Sequence, residues 1–497
     1  MKIVNTNIGT TKTLVSICLL ALAAWLPGAG LHAAPVADAQ LEHAGTFNGT
    51  AVRYVSRIET IPVRDGDAGA DLVVMSHAAT GADADPARPV LFAFNGGPIS
   101  ASLYLHAGAL GPRRMAFPDD LDADPATFES APNPHAILDV ADIVLFDPAG
   151  TGFSRVADGT DTTHFHSVEA DARQLVLMIE AWSRRHGREA SPKYLLGESY
   201  GTLRAAAAAH QMQMRDTPMR VDGVFLLGQA LNIIEYAQRE QNIISYVVSL
   251  PTVAAIAWHH GRAETGGLAF EPWLDEVRTW ARTEYLTALF QGQFLPEPER
   301  RRIAAQLQAY TGVDAEVLLR EDLKLTKNEH RVELLRDRGQ VLGVYDARYA
   351  GPPDPARPSP AATDPSGVTG PAFRRGLEDL LRTQFGVEDA SAYRNSADIG
   401  GIDAWTWGRA TSPFGDWPYM EWIREVMAAN PDFRVVMGHG HHDTATTTGA
   451  SDYAVAHSGW PLDRVRSVYY LGGHMPYTIE ASLAQFADDL RTFVGAP

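Results

Sequence analysis

The five residues Gly197-Glu198-Ser199-Tyr200-Gly201 constrain the fold of this chain more than any other stretch. They follow the apolar run Tyr194-Leu195-Leu196 and lead into Thr202-Leu203-Arg204 and then Ala205 to Ala209. That is the pattern of a strand, a sharp turn and a helix. A serine at the apex of such a turn sits on a strained backbone, and a glycine on either side leaves room for strand and helix to pass closely. The helix turns its first N–H groups toward the serine. The stretch therefore predicts Ser199 displayed at the end of a buried strand.

The flanking sequence supplies the rest of a sheet. Residues 40 to 75 alternate apolar and polar positions, as in Val52, Tyr54, Ser56 and Ile58, which predicts antiparallel strands at the start. Two fully apolar runs follow, Val90 to Phe94 and Ile143 to Phe146, each ending in a glycine-containing turn. Strands buried on both faces belong in the middle of a sheet. Between the second run and Ser199, Val168, Ala172, Leu175, Ile179 and Trp182 recur at helical spacing, with Glu169, Asp171, Arg173 and Glu180 assigned to the opposite, solvent-facing side. Gly223 to Gly228 reads as a further strand, so elements alternate from residue 90 to 228 and the sheet is mostly parallel. After residue 232 the regularity stops. Helical segments at 273–289 and 297–310 and a loop rich in proline and glycine at 351–371 predict an insertion, and strand signals resume at Val435 to Met437 and Val468 to Leu471. A helix from 479 to 494 closes the chain.

Nucleophilic acyl transfer needs a serine, an imidazole to take its proton and a carboxylate to hold that imidazole in one tautomer. Ser199, Asp443 and His474 each stand just beyond a predicted strand, and a parallel sheet brings such ends to one edge. Their order along the chain is that of the α/β-hydrolase arrangement, with the N–H of Tyr200 and one from the Gly96-Gly97 turn as oxyanion donors. The reading is an α/β protein of α/β-hydrolase fold, its mostly parallel central sheet flanked by helices on both faces and carrying a largely helical cap. The core spans 34–232 and 401–497 and the cap 233–400.

Composition narrows the partners. A formal charge of -18 disfavours nucleic acid and anionic lipid. Lys2 and Lys12, the apolar stretch from Leu14 to Leu26 and the small-residue site before Ala34 predict a cleaved export signal over residues 1–33, hence a periplasmic or extracellular protein with no membrane attachment after cleavage. The sole cysteine, Cys18, falls inside it, leaving no disulfide in the mature chain.

Asn95-Gly96-Gly97-Pro98, Asp147 to Ser154, Gly197 to Gly201, Gly440 to Thr446 and Gly473-His474-Met475 resemble the five signature blocks of the serine carboxypeptidases, in the same order, with a weaker echo at Leu342 to Arg348. The resemblance implies release of the C-terminal residue of a peptide through an acyl-enzyme, with Ser199, Asp443 and His474 as the triad, Gly97 and Tyr200 as the oxyanion hole, and no cofactor or metal. It also implies that Asn95 and Glu198 bind the substrate's terminal carboxylate. An amide N–H and a protonated carboxyl both donate to a carboxylate, whereas an ionised Glu198 repels it. Most relatives add a second glutamate about fourteen residues after the asparagine. Here no Asp or Glu occurs between Asn95 and Asp119, and the family's glycine after Gly-Gly-Pro is Ile99.

Other candidates are weaker. Arg113 and Arg114 could take a carboxylate instead, although an exposed pair is more often a solvated patch. His439, His441 and His442 are spaced for a metal but alternate in direction along a strand. Trp405 and Trp407 read as core before pocket wall. Two rival functions keep the same scaffold: an esterase or acyltransferase using the triad, and a binding protein without catalysis.

Overall fold

In the computed structural model, residues 35–81, 84–408 and 417–495 are described; the export signal expected at 1–33, with Cys18, lies outside them. Three long strands open the chain: β1 (Ala39–Phe47), β2 (Thr50–Asp65) and β3 (Ala68–Ala79), each antiparallel to the next. The parallel part follows with β4 (Val90–Phe94), β5 (Asp142–Phe146), β6 (Lys193–Glu198), β7 (Gly223–Leu227), β8 (Arg434–Gly440) and β9 (Val465–Tyr470). Across the sheet the order is β1-β2-β3-β5-β4-β6-β7-β8-β9, and a two-residue strand at Arg155–Val156 joins β3 off this path.

The apolar runs lie where double burial puts them. β4 pairs with β5 on one side and β6 on the other, both parallel. Its Val90, Phe92 and Phe94 enter one core while Leu91 and Ala93 enter the other, all fully buried. The first face is covered by α1 (Val168–Arg185) and α2 (Gly201–Gln213).

The insertion is helical. Its segments α3 (Leu250–His259), α4 (Phe270–Trp280) and α5 (Glu297–Thr311) share a separate core around Trp273, Trp280, Tyr285 and Leu307. α6 (Gly370–Phe385) lies within the stretch read as cap, yet it packs on the second face of the sheet. Its Ala372, Phe373, Leu377, Leu380, Leu381 and Phe385 form an apolar stripe of helical period that the sheet buries. α7 (Tyr419–Ala429) returns to the first face and α8 (Glu480–Gly495) covers the second. The fold is that of an α/β hydrolase, with helices on both faces of a mostly parallel sheet. No helix among the described residues is long and apolar enough to cross a membrane.

Asp171 corrects the sequence reading. It is fully buried, four residues before Leu175 and therefore on the same face, and it forms an ion pair with Arg204 of α2 at 2.8 Å. Polarity alone had put it on the solvent side; burial is tolerated because the charge is paired and hydrogen-bonded.

Candidate active site

The turn between β6 and α2 has the expected geometry. Ser199 holds φ +60, a left-handed value that costs a side-chain-bearing residue energy and persists only where the surroundings impose it. They do so here. Ser199 N–H donates to the Leu227 carbonyl at 2.9 Å, and the Ser199 carbonyl accepts from the Thr202 hydroxyl at 2.7 Å. A Cβ on Gly197 would lie 2.2 Å from the Gly201 oxygen, so that glycine is required by close approach, and one on Gly201 would lie 3.0 Å from the Phe94 oxygen, a tight fit that glycine relieves.

The Asn95-Gly96-Gly97 turn leaves β4 beside β6 and meets this elbow. A Cβ at Gly96 would stand 2.7 Å from the Tyr200 nitrogen and 2.9 Å from the Ser199 Cβ. Gly97 adopts φ +116. Neither the Gly97 N–H nor the Tyr200 N–H has a hydrogen-bond partner among the described residues, and both are the donors expected to face a developing oxyanion. Replacing Gly96 with alanine is expected to push the Tyr200 N–H away and lower kcat by about 10²–10³, the loss typical of one such donor; pre-steady-state kinetics would show the loss in acylation.

Asp443 and His474 come from the ends of β8 and β9. His474 Nδ1 lies 2.6 Å from Asp443 Oδ2, which also accepts from the Thr446 hydroxyl at 2.5 Å, while Asp443 Oδ1 accepts from the N–H groups of Ala445 and Thr446 at 2.8 and 3.1 Å. Burial pushes the Asp443 carboxyl up, but the His474 imidazole and these hydrogen bonds outweigh it and hold the carboxyl below its usual value. For His474, burial pulls downward and the Asp443 charge and hydrogen bond pull upward more strongly, to about 8. The His474 N–H donates to the Tyr345 carbonyl at 2.6 Å, and the two rings lie 5.4 Å apart. The weak echo at Leu342 to Arg348 thus anchors the imidazole loop.

Beside these groups Glu198 is buried. Its Oε1 accepts from Asn95 Nδ2 and its Oε2 from the Tyr477 hydroxyl, both at 2.7 Å. Burial pushes Glu198 up to about 7, against the opposing influence of His474, Tyr477 and Asn95. Ser199, His474, Asn95, Gly97 and Glu198 all line one cavity of about 270 Å³, whose far wall is Tyr104, Tyr345, Asp364 and Thr369. The last two belong to the loop rich in proline and glycine.

Three residues of this site were missed in the sequence. Tyr477 and Asp364 carry no pattern of their own. Arg204 sat hidden in an alanine-rich helix; fully buried, it donates to Asp171 and, through Nη1, to the Asn95 carbonyl at 2.7 Å, while Asp171 accepts from the Tyr200 hydroxyl at 2.8 Å. One buried ion pair therefore braces both turns that face Ser199.

The weaker candidates lie elsewhere. Arg113 pairs with Asp379 and Arg114 with Glu480, and neither lines the cavity. Trp405 and Trp407 pack edge-on to the Tyr200 ring at 5.5 and 5.8 Å, as core. His439, His441 and His442 are buried and pushed down by that burial, and His441 stacks on Tyr469. Among the described residues no three His, Cys, Asp or Glu are placed to hold a metal. In the Asp147 block, Asp147 accepts from the Ser102 N–H at 2.7 Å and a Cβ on Gly152 would lie 2.0 Å from its carboxylate, so this block shapes the turn after β5.

Residues 77–237, which include the Asn95 turn and the Ser199 elbow, match the family model of the serine carboxypeptidases. Among solved structures, a prohormone-processing carboxypeptidase from Saccharomyces cerevisiae is similar over 88% of this chain and 91% of that one, with 13% identity and a TM-score of 0.52. At that identity the likeness concerns the fold. A proline iminopeptidase from Mycobacterium smegmatis aligns over 88% of this chain and 97% of that one, with 15% identity and a TM-score of 0.37. No curated protein matches the chain.

Proposed function

We propose that this protein is a serine carboxypeptidase that releases the C-terminal residue of a peptide through an acyl-enzyme. The observation that carries the reading is the Asn95–Glu198 pair lining the same cavity as Ser199 and His474. A hydrogen-bonded carboxyl and amide, with no Lys or Arg among the described residues that line the cavity, suit a ligand whose carboxylate is gripped by donors.

In this mechanism His474 takes the Ser199 proton as the hydroxyl attacks the carbonyl of the last peptide bond, and Asp443 holds the imidazolium that forms. The Gly97 and Tyr200 N–H groups hold the oxyanion. His474 then protonates the leaving amino acid, and water, activated by the same imidazole, hydrolyses the ester. Protonated Glu198 and Asn95 donate to the terminal carboxylate, which keeps the scissile carbonyl in register.

Two groups set the pH dependence with opposite signs. Neutral His474 is the competent base, so turnover rises as pH rises toward and past about 8. Neutral Glu198 is the competent donor, so binding of a free carboxylate falls as pH rises past about 7. An N-blocked dipeptide acid is expected to give a bell-shaped kcat/KM, and its C-terminal amide a simple rise, with the acid preferred most strongly at acidic pH. Equal hydrolysis of acid and amide between pH 5 and 6 would overturn the carboxypeptidase reading in favour of an esterase or acyltransferase.

A further inference from the structure

The segment in which the sequence carries no second glutamate packs against a buried aromatic ring. The segment His106 to Leu110 forms a π-type turn, and Gly108 in it leaves a gap: a Cβ there would lie 2.7 Å from Cε2 of Tyr477 and 2.7 Å from Cε1 of Phe373. The Tyr477 ring occupies that gap, fully buried between Phe373 and Phe486. Its hydroxyl reaches Glu198 Oε2 at 2.7 Å, opposite the Asn95 amide on Oε1.

We propose that Tyr477 is a positioning residue that holds Glu198 against the cavity and fixes the pH above which the site stops accepting a free carboxylate. The inference rests on the carboxypeptidase reading for its effect on substrate, though not for its effect on Glu198.

The physical argument turns on charge. Two carboxyls in contact share a proton, because both cannot ionise at short range, and this raises proton affinity. A phenol adds no charge at working pH. As a donor to Glu198 it favours the ionised form, as the Asn95 amide does, and opposes the effect of burial. The other groups around Glu198 are Tyr104 on the cavity wall, His474, and Asp443 behind it; of these His474 favours ionisation and Asp443 opposes it. Tyr477 also sits three residues after His474, in a tight turn closed by the Thr478 and Ile479 N–H groups on the Met475 and Pro476 carbonyls at 3.1 and 3.0 Å. The carboxyl beside the nucleophile and the imidazole loop are thereby tied together.

The test replaces Tyr477 by phenylalanine and, separately, by 3-fluorotyrosine, which keeps the ring and strengthens the donor. KM for an N-blocked dipeptide acid is followed from pH 5 to 9 with the matching ester as control, and the carboxylic C=O infrared band that Glu198→Gln abolishes is titrated in each protein. For Tyr477→Phe the rise in KM for the acid is expected to move up by about one pH unit, a tenfold shift in the ratio of the two protonation states. The fluorinated protein is expected to move it down, and the infrared band to move with it in both. The ester, which lacks the carboxylate, is expected to show neither shift in KM. Unchanged midpoints in both variants, or acid and ester KM moving together, would overturn the proposal and leave Tyr477 a packing residue. If Tyr477→Phe does not fold, the fluorinated protein decides by itself. If the wild type treats acid and amide alike, the carboxypeptidase reading fails, while the infrared band still reports whether Tyr477 holds Glu198.

Discussion

Ser199→Ala is expected to lower kcat on an N-blocked dipeptide acid by about 10⁶-fold, with KM little changed. The size follows from how the site is built. In the proposed mechanism no acyl-enzyme forms without the hydroxyl, and the remaining groups, the Gly97 and Tyr200 N–H groups and the Asn95–Glu198 pair, would orient a substrate without attacking it. KM should hold because those groups, and not the nucleophile, are the ones proposed to meet the terminal carboxylate and the carbonyl. The strained φ of +60 at position 199 is imposed by the Leu227 carbonyl, the Thr202 hydroxyl and the two flanking glycines, none of which involves the serine hydroxyl, so the variant should fold. Single-turnover kinetics and labelling by a fluorophosphonate check it: the wild type labels and the variant does not. A folded wild type that fails to label would favour a binding protein on a hydrolase scaffold.

The framework of this site was legible because each part has a local cause. A tight strand-to-helix turn demands Gly197 and Gly201 within five residues, and a doubly buried strand demands the unbroken run from Val90 to Phe94, so both are written in short windows. The mostly parallel character of the sheet follows from the alternation of strands and helices, whereas the order of its strands does not. What escaped depends on contacts across the chain. Tyr477 meets Glu198 only because Gly108, far away in sequence, lacks a side chain. Asp171 looked like a surface residue until Arg204 was placed against it, and Asp364 and Tyr345 became cavity wall only when the inserted stretch folded back over His474. The placement of α6 shows the same limit. Its amphipathic pattern declares a buried face but not which core receives it, and it joined the sheet.

Asp443→Asn is expected to cost about 10⁴ in kcat, a loss of orientation more than of contact. At Oδ1 the carboxylate accepts two backbone N–H groups, from Ala445 and Thr446, and an amide can meet them only with its oxygen. Its NH₂ group then takes the place of Oδ2, opposite His474 Nδ1. A donor there cannot accept the imidazole N–H, so His474 is driven to carry its proton on Nε2, the nitrogen that must be free to take the Ser199 proton. The Thr446 hydroxyl, which donates to Oδ2 in the native site, reverses to accept and leaves the packing intact. The pH dependence separates this account from simple damage. Asp443 holds His474 up to about 8, against burial that pulls it down. With that charge removed, the rising limb of residual ester hydrolysis should shift to lower pH, whereas a merely loosened site would lose rate with its limb unmoved. A variant retaining more than a tenth of wild-type kcat, with its limb still near 8, would mean that Asp443 does not orient His474.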